Sequence, residues 1–284
     1  MDRTGRDGER RRIWLCADDY GIAPGVNTAI RDLIARRRLN ATSVMVLAPG
    51  FARAEGAALA ALNAGEQRVA IGLHLTLTAP LGPLTGDYAP LAEGAFLPVA
   101  TTLRLALQQR LDVAAITREF RAQFEAFAAA FGRPPDFVDG HQHVQLFPQV
   151  RQAALETTSW IARGAWVRQC GAVTPLHRRL TDPKGLLIDW LSREFRARAA
   201  NLGIKTNPAF AGTYTYRPNA DFAAIFPGFL DGMPDGGLIM CHPGHVDAEL
   251  ERLDPLTTLR ENEYAYFCSD DFAALMEKRG FALN

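Results

Sequence analysis

The stretch Ile13-Trp-Leu-Cys-Ala-Asp-Asp-Tyr-Gly21 does most to limit what this chain can fold into. Five apolar residues lead directly into two adjacent carboxylates, and a glycine follows two residues later. An apolar run of that length bounded by glycine reads as a buried strand. Two carboxylates at its carboxyl end then lie where parallel α/β folds place their chemistry, at the mouth of the sheet or barrel. Aspartate also favours helix starts, so capping of a helix after Pro24 competes as an explanation for Asp18 and Asp19.

The chain repeats that formula. Val26, Ile30, Leu33 and Ile34 have helical spacing, Ala41 to Leu47 reads as a second strand, and Phe51 to Ala64 as an Ala-rich helix. Val69 to Leu77 follows as a third strand with His74 inside it. The rhythm β-α-β-α-β predicts a parallel sheet with right-handed crossovers. Pro80 to Pro98 has no period and is rich in Gly and Pro, so a long loop is expected, suited to a lid or a substrate contact. Ile116, Phe120, Phe124, Phe127 and Phe131 make an amphipathic stripe that Gly132-Arg-Pro-Pro135 stops. Asp136 to His143 reads as a strand ending in a polar cluster, and Ala165 to Arg168 as a short strand. Leu176 to Lys205 reads as Arg-rich with helical stretches, and Asn207 to Pro218 as a loop. Asp221 to Leu230 reads as a helix, Gly237 to Gly244 as a strand running into a turn, and Glu261 to Arg279 as the last helices. With neither repeat nor linker, one domain is expected from residue 13 to 284, preceded by a disordered tail over 1–12.

The balance of 31 basic and 31 acidic residues offers no global field for nucleic acid or an anionic membrane. Arg10 to Arg12 are read as solvated. No run approaches the roughly 18 apolar residues of a membrane span, and residues 1–12 lack the apolar core of a signal peptide. The four cysteines, Cys16, Cys170, Cys241 and Cys268, show no metal-type spacing and suit reduced thiols in a cytoplasmic protein. No Gly-x-Gly-x-x-Gly or Walker-type loop is present, which argues against nucleotide chemistry.

The histidines are the more telling feature. His74, His141, His143 and His242 fall at predicted strand ends, as do Asp18, Asp19, Asp139 and Arg168. Residues i and i+2 of a strand point the same way, so His141 and His143 are expected to share a face. Two imidazoles and a carboxylate make an open divalent site with room for water. His245 follows the His-Pro-Gly turn and is a candidate pocket residue, whereas His177 has no assigned role.

Ala17-Asp-Asp-Tyr-Gly21, Gly72-Leu-His-Leu-Thr76, Asp139-Gly-His-Gln-His-Val144 and Cys241-His-Pro-Gly244 resemble, in order and spacing, the motifs of the YdjC-like carbohydrate deacetylases. That family includes chitooligosaccharide and hopanoid-biosynthesis deacetylases. The resemblance implies a single-domain α/β fold, a distorted (β/α) TIM-like barrel of the polysaccharide-deacetylase type. It implies removal of acetyl groups from N-acetylated sugars, on oligosaccharides or glycolipids, with a divalent Mg2+ or Zn2+ ion. By position it implies Asp18 as general base, Asp19, His74 and His141 as metal ligands, His242 as general acid, and Arg168 as the residue holding Asp18. His143, Gln145 and His245 are candidate substrate contacts. The chain departs from the family's His-His-His-Val-His segment, with Gln142 and Gln145 in place of two imidazoles. A homodimer is compatible with the chain. A metal-dependent phosphoesterase, an iron oxygenase and a non-catalytic sugar-binding relative are the other readings that a His/Asp set allows.

Overall fold

The computed structural model describes residues 10–63, 69–173, 183–217 and 219–283. Its centre is the strand β1 (Arg11–Tyr20), buried throughout from Leu15 to Tyr20. Continuous burial is what a parallel strand covered on both faces requires, and it explains the unbroken apolar run. Asn40 fastens this strand from the side: its Oδ1 accepts the Leu15 N–H at 2.7 Å and its Nδ2 donates to the Ile13 carbonyl at 2.9 Å. β1 begins two residues before the expected start, so Arg11 and Arg12 belong to the sheet and not to a tail. Arg11 lies 4.1 Å over the Phe281 ring. Residues 1–9 lie outside the described residues.

Around β1 stand β2 (Ala41–Val44), β3 (Ala70–Leu75), β4 (Phe137–Gly140), β5 (Trp166–Val167), β6 (Phe210–Ala211) and β7 (Leu238–Cys241). Their order is β5-β4-β3-β2-β1-β7-β6, and the ladders are parallel. A further strand, β8 (Phe281–Leu283), pairs with the first residues of β1. The ends of the path meet through single parallel bridges, Val167 to Thr206 and Ala172 to Phe210. Asn207 reinforces the seam by accepting the Gln169 N–H at 2.9 Å and donating to the Gln169 carbonyl at 3.1 Å. The sheet thus curls into a distorted (β/α) barrel, closed on one side by isolated contacts instead of a full ladder.

The helices α1 (Pro24–Ala35), α2 (Arg53–Ala61), α3 (Val99–Leu107), α4 (Val113–Phe131), α5 (Val150–Ile161), α6 (Pro183–Asn201), α7 (Phe222–Phe229), α8 (Ala248–Leu253), α9 (Thr258–Cys268) and α10 (Asp270–Lys278) complete the fold. The phenylalanine stripe is a helix face, with Phe120, Phe124 and Phe127 buried. Asp112 caps α4 at its start, and Gly132, at φ +67°, ends it. The same helix buries Gln123, which exchanges hydrogen bonds with the Thr76 N–H and carbonyl, and Glu119, which holds Leu84 and Thr85.

Three expectations fail locally. Strand β4 stops at Gly140, and His141–Leu146 is a 3-10 turn with Gln142 and His143 at φ +54° and +60°. The strand alternation expected for His141 and His143 therefore does not apply. The expected loop at 207–218 contains β6, and α3 occupies a stretch with no assigned helix. Leu176 to Asp182, including His177, lies outside the described residues.

Candidate metal and catalytic site

Because the strands are parallel, their carboxyl ends meet at one rim. Asp18 and Asp19 sit near the end of β1, His74 in β3, Asp139 in β4 with His141 just beyond it, Arg168 after β5 and His242 after β7. The β1–β2 register shifts between Ala17 and Tyr20, and Asp19 takes φ +68°. Aspartate tolerates the left-handed region better than most residues, and such outliers concentrate at functional sites. The irregularity lets both neighbours face inward, which strict strand alternation forbids. Gly21 completes the turn at φ +105°, where a Cβ would stand 2.9 Å from the Met45 carbonyl oxygen.

The two carboxylates then acquire different partners. Arg168, fully buried, forks onto Asp18 with Nη1–Oδ1 at 2.6 Å and Nη2–Oδ2 at 2.8 Å. Burial alone would raise the Asp18 pKa, but Arg168 and then His74 hold it below the usual carboxylate range. Asp19 Oδ1 lies 3.0 Å from His141 Nδ1 and 3.3 Å from His74 Nε2. Its Oδ2 accepts from Arg260 Nη2 at 2.6 Å. Against the same effect of burial, Arg260 and His141 hold Asp19 well below its ordinary value. His74 Nδ1 lies 2.6 Å from Asp139 Oδ1, which turns Nε2 toward Asp19. Burial would depress His74, yet the charges of Asp139, Asp19 and Asp18 prevail and push its pKa up to about 10.

Asp19, His74 and His141 offer donor atoms that all lie within 4.8 Å of one another. The donor set fits a divalent cation on two further grounds. The Asp139 contact to the far nitrogen of His74 is the carboxylate–histidine arrangement that orients metal ligands. Among the described residues, the carboxylates of Asp18, Asp19, Asp139 and Asp254 are ion-paired with two guanidinium groups, Arg168 and Arg260. Four acids against two bases leave two negative charges, the complement of a divalent ion when the imidazoles are neutral.

These groups open into a cavity of about 770 Å³. Asp18, Asp19, His74, His141, Gln142, His143, His242 and Asp254 contribute polar groups to its lining. Val99 and Leu103 of α3, and Leu187, Ile188 and Leu191 of α6, give an apolar wall. Thr213 to Tyr216, following β6, form another side. No residue of 80–98 lines this cavity: the loop is held instead over Glu119, and its Phe96 is fully buried. α3, which follows that loop, reaches the pocket in its place.

His143 lines the cavity, its Nδ1 3.5 Å from Cys170 Sγ, and burial followed by the Arg168 charge pushes its pKa down to about 3. Gln145 and His245 do not line it. Gln145 is buried and donates to the Arg168 carbonyl, while His245 packs on Tyr264 and Glu261. His242 lines the cavity beside Tyr216, ring centroids 5.9 Å apart. Asp247, five residues beyond His242 in the sequence, caps α8 and accepts the Gly25 N–H at 2.7 Å. Among the described residues no carboxylate hydrogen-bonds the His242 ring, whose Nδ1 is buried without a partner. Glu263 takes the backbone N–H of His242 at 2.5 Å and the Tyr214 hydroxyl at 2.7 Å. Gly244 lets this turn close, since a Cβ there would lie 2.9 Å from Val26 Cγ2.

Sequence reasoning left Asp139 without a role and missed Arg260, Asp254 and Glu263. Asp139 was visible beside His141. The other three lie in polar segments with no motif, so no local signal marks them.

Comparison with known proteins agrees with this architecture. The chitooligosaccharide deacetylases of Yersinia pestis (strain Pestoides F) and Yersinia pseudotuberculosis serotype O:1b (strain IP 31758) are each 27% identical to this chain over 277 residues, covering 94% of it and 95% of their own length. A crystal structure of an Enterococcus faecalis V583 protein, whose name suggests cellobiose-phosphate cleavage, shares the fold with a TM-score of 0.72, at 19% identity over 97% of both chains. The family model described as YdjC-like protein matches residues 12–278, a span that includes every residue of the rim, and the chain belongs to that family.

Proposed function

We propose that this protein is a metal-dependent carbohydrate deacetylase that hydrolyses the acetamide of an N-acetylated sugar. The observation that carries the reading is the convergence of Asp19, His74 and His141 next to a separate, Arg-held carboxylate, Asp18, at the floor of one cavity. The names of the Yersinia relatives supply the substrate class. Two imidazole nitrogens and one carboxylate oxygen suit Zn2+ better than Mg2+, which favours all-oxygen surroundings.

A divalent ion held by Asp19, His74 and His141 would polarise the acetyl carbonyl and acidify a water. Asp18 accepts the proton as that water's oxygen bonds to the carbonyl carbon, and the Arg168 fork keeps the carboxylate ionised and aimed. The carbon–nitrogen bond then breaks, and a cavity acid must protonate the departing amine. Among the described residues outside the proposed ligand set, two histidines line the cavity. Burial and Arg168 keep His143 neutral, which disqualifies it as the donor and leaves His242. Acetate and a free amine are the products. His143 stays available as a neutral hydrogen-bonding group to the sugar.

Acetate release from N-acetylated chitooligosaccharides and N-acetylglucosaminyl glycolipids, measured before and after chelation and after zinc is restored, tests the reading. Release that chelation abolishes and zinc restores is expected. Release that persists in metal-stripped protein, or none from any acetamide sugar, overturns it.

A further inference from the structure

Arg260 has no part in the scheme above, yet it is fully buried and touches a proposed ligand. It lies on α9, 241 residues from Asp19 in sequence. Its Nε donates to the Leu256 carbonyl at 3.0 Å, and its own carbonyl accepts the Gly244 N–H at 3.1 Å. The single nitrogen Nη2 then bridges two carboxylates, Asp19 Oδ2 at 2.6 Å and Asp254 Oδ2 at 2.7 Å. The two oxygens of Asp19 are therefore segregated. Oδ1 faces His74 and His141, and Oδ2 is directed away into a charge-assisted hydrogen bond. A carboxylate free to turn could offer a cation both oxygens.

We propose that Arg260 is a positioning residue that restricts Asp19 to one donor oxygen, with Asp254 on the cavity wall anchoring Arg260. This rests on the reading of Asp19 as a metal ligand. Restriction to one oxygen keeps the coordination number low and a position open for water and substrate, as catalytic zinc sites require. It also fixes the carboxylate before any ion arrives, so less order is lost on binding. Arg260 thus connects the wall at Asp254 to the ligand at Asp19 through one guanidinium nitrogen.

The test uses purified full-length protein and two readouts independent of turnover: zinc affinity by competition with a chromogenic chelator, and the visible spectrum of the Co2+-substituted protein, whose intensity falls as coordination number rises. Arg260→Met should bind zinc about 10–100-fold more weakly, the usual cost of losing a residue that orients a ligand, and its Co2+ bands should lose intensity. Arg260→Lys, which keeps a cationic donor, should fall between Met and wild type in both readouts. Wild-type affinity and spectrum in Arg260→Met overturn the proposal, as does Lys behaving no better than Met. If circular dichroism shows that Arg260→Met does not fold, Asp254→Asn decides: a smaller shift in the same direction supports the anchor, and no shift overturns it. Asp19→Asn separates the two levels of inference. Loss of zinc there with an unaffected Arg260→Met removes only the Arg260 role, whereas undiminished zinc binding by Asp19→Asn removes the ligand reading beneath it.

Discussion

Asp18→Asn separates the proposed base from the proposed metal ligands, and its two costs can be worked from the geometry. The substitution removes the charge to which Arg168 is forked at 2.6 and 2.8 Å. Removing one partner of a buried ion pair costs about 3–5 kcal/mol when the remaining charge is stranded. Arg168 is not stranded, because Nη1 keeps Asp139 Oδ2 at 3.0 Å and the asparagine oxygen can still accept one hydrogen bond. The stability loss should therefore be smaller, about 2–3 kcal/mol, a fall in Tm of roughly 3–5 °C for a chain of this size. The kinetic cost is separate: loss of a general base should lower turnover by about 10²–10⁴, or about 2.7–5.5 kcal/mol of barrier. Acetate release should be assayed well below the lowered Tm, with zinc content measured on the same sample. Zinc should be retained, since Asp18 is outside the converging donor set. Turnover within tenfold of wild type in folded, zinc-loaded Asp18→Asn would refute the base assignment, and zinc loss equal to that of Asp19→Asn would refute the division of labour. The depressed Asp18 pKa also sets a sign: its stabilisation is present above the unfolded carboxylate range, near pH 4, and disappears as pH falls through the lower folded value.

His242→Ala should keep zinc and fold yet lose about 10²–10⁴ in turnover on an acetamide, while an activated acetate ester, whose leaving group needs no proton, should suffer much less; equal losses on both would make His242 a substrate-positioning or structural residue. His74 gives a pH signature in the metal-free protein. Its folded pKa, about 10, lies above the ordinary value, so its stabilisation should be complete below about pH 6.5 and lost as pH rises toward 10. Zinc uptake at neutral pH should correspondingly release protons, because the ligand must be neutral. Calorimetric titration in buffers of different ionisation enthalpy measures that release, and none would show that His74 is neutral before zinc binds or is no ligand.

The strand-end chemistry was legible in the chain because it is written locally. An apolar run long enough to be buried, ending in Asp, His or Arg, places a polar group at a rim whenever the strands are parallel, and the β-α-β rhythm makes them so. The phenylalanine stripe of α4 was legible for the same reason, as periodicity within one element. What failed also failed for a physical reason. The alternation expected for His141 and His143 assumes extended backbone, and the chain leaves β4 at Gly140 for a 3-10 turn with left-handed residues. Loop length suggested that 80–98 reaches the pocket, but Glu119, buried on α4, holds the loop elsewhere and α3 takes that place. Asp247, close to His242 in sequence, is spent on a helix cap, and Glu263 from α9 meets that turn instead. Arg260 stands 241 residues from Asp19, with no motif to mark it, and only the packing of α9 against the rim brings its guanidinium onto Oδ2. Residue type and spacing thus determined which groups stand at the mouth of the barrel. Which oxygen of Asp19 faces His74 and His141, and which nitrogen of His74 faces Asp19, was decided by side chains from distant elements, because hydrogen-bond partners in a buried site are chosen by tertiary packing and not by neighbours along the chain.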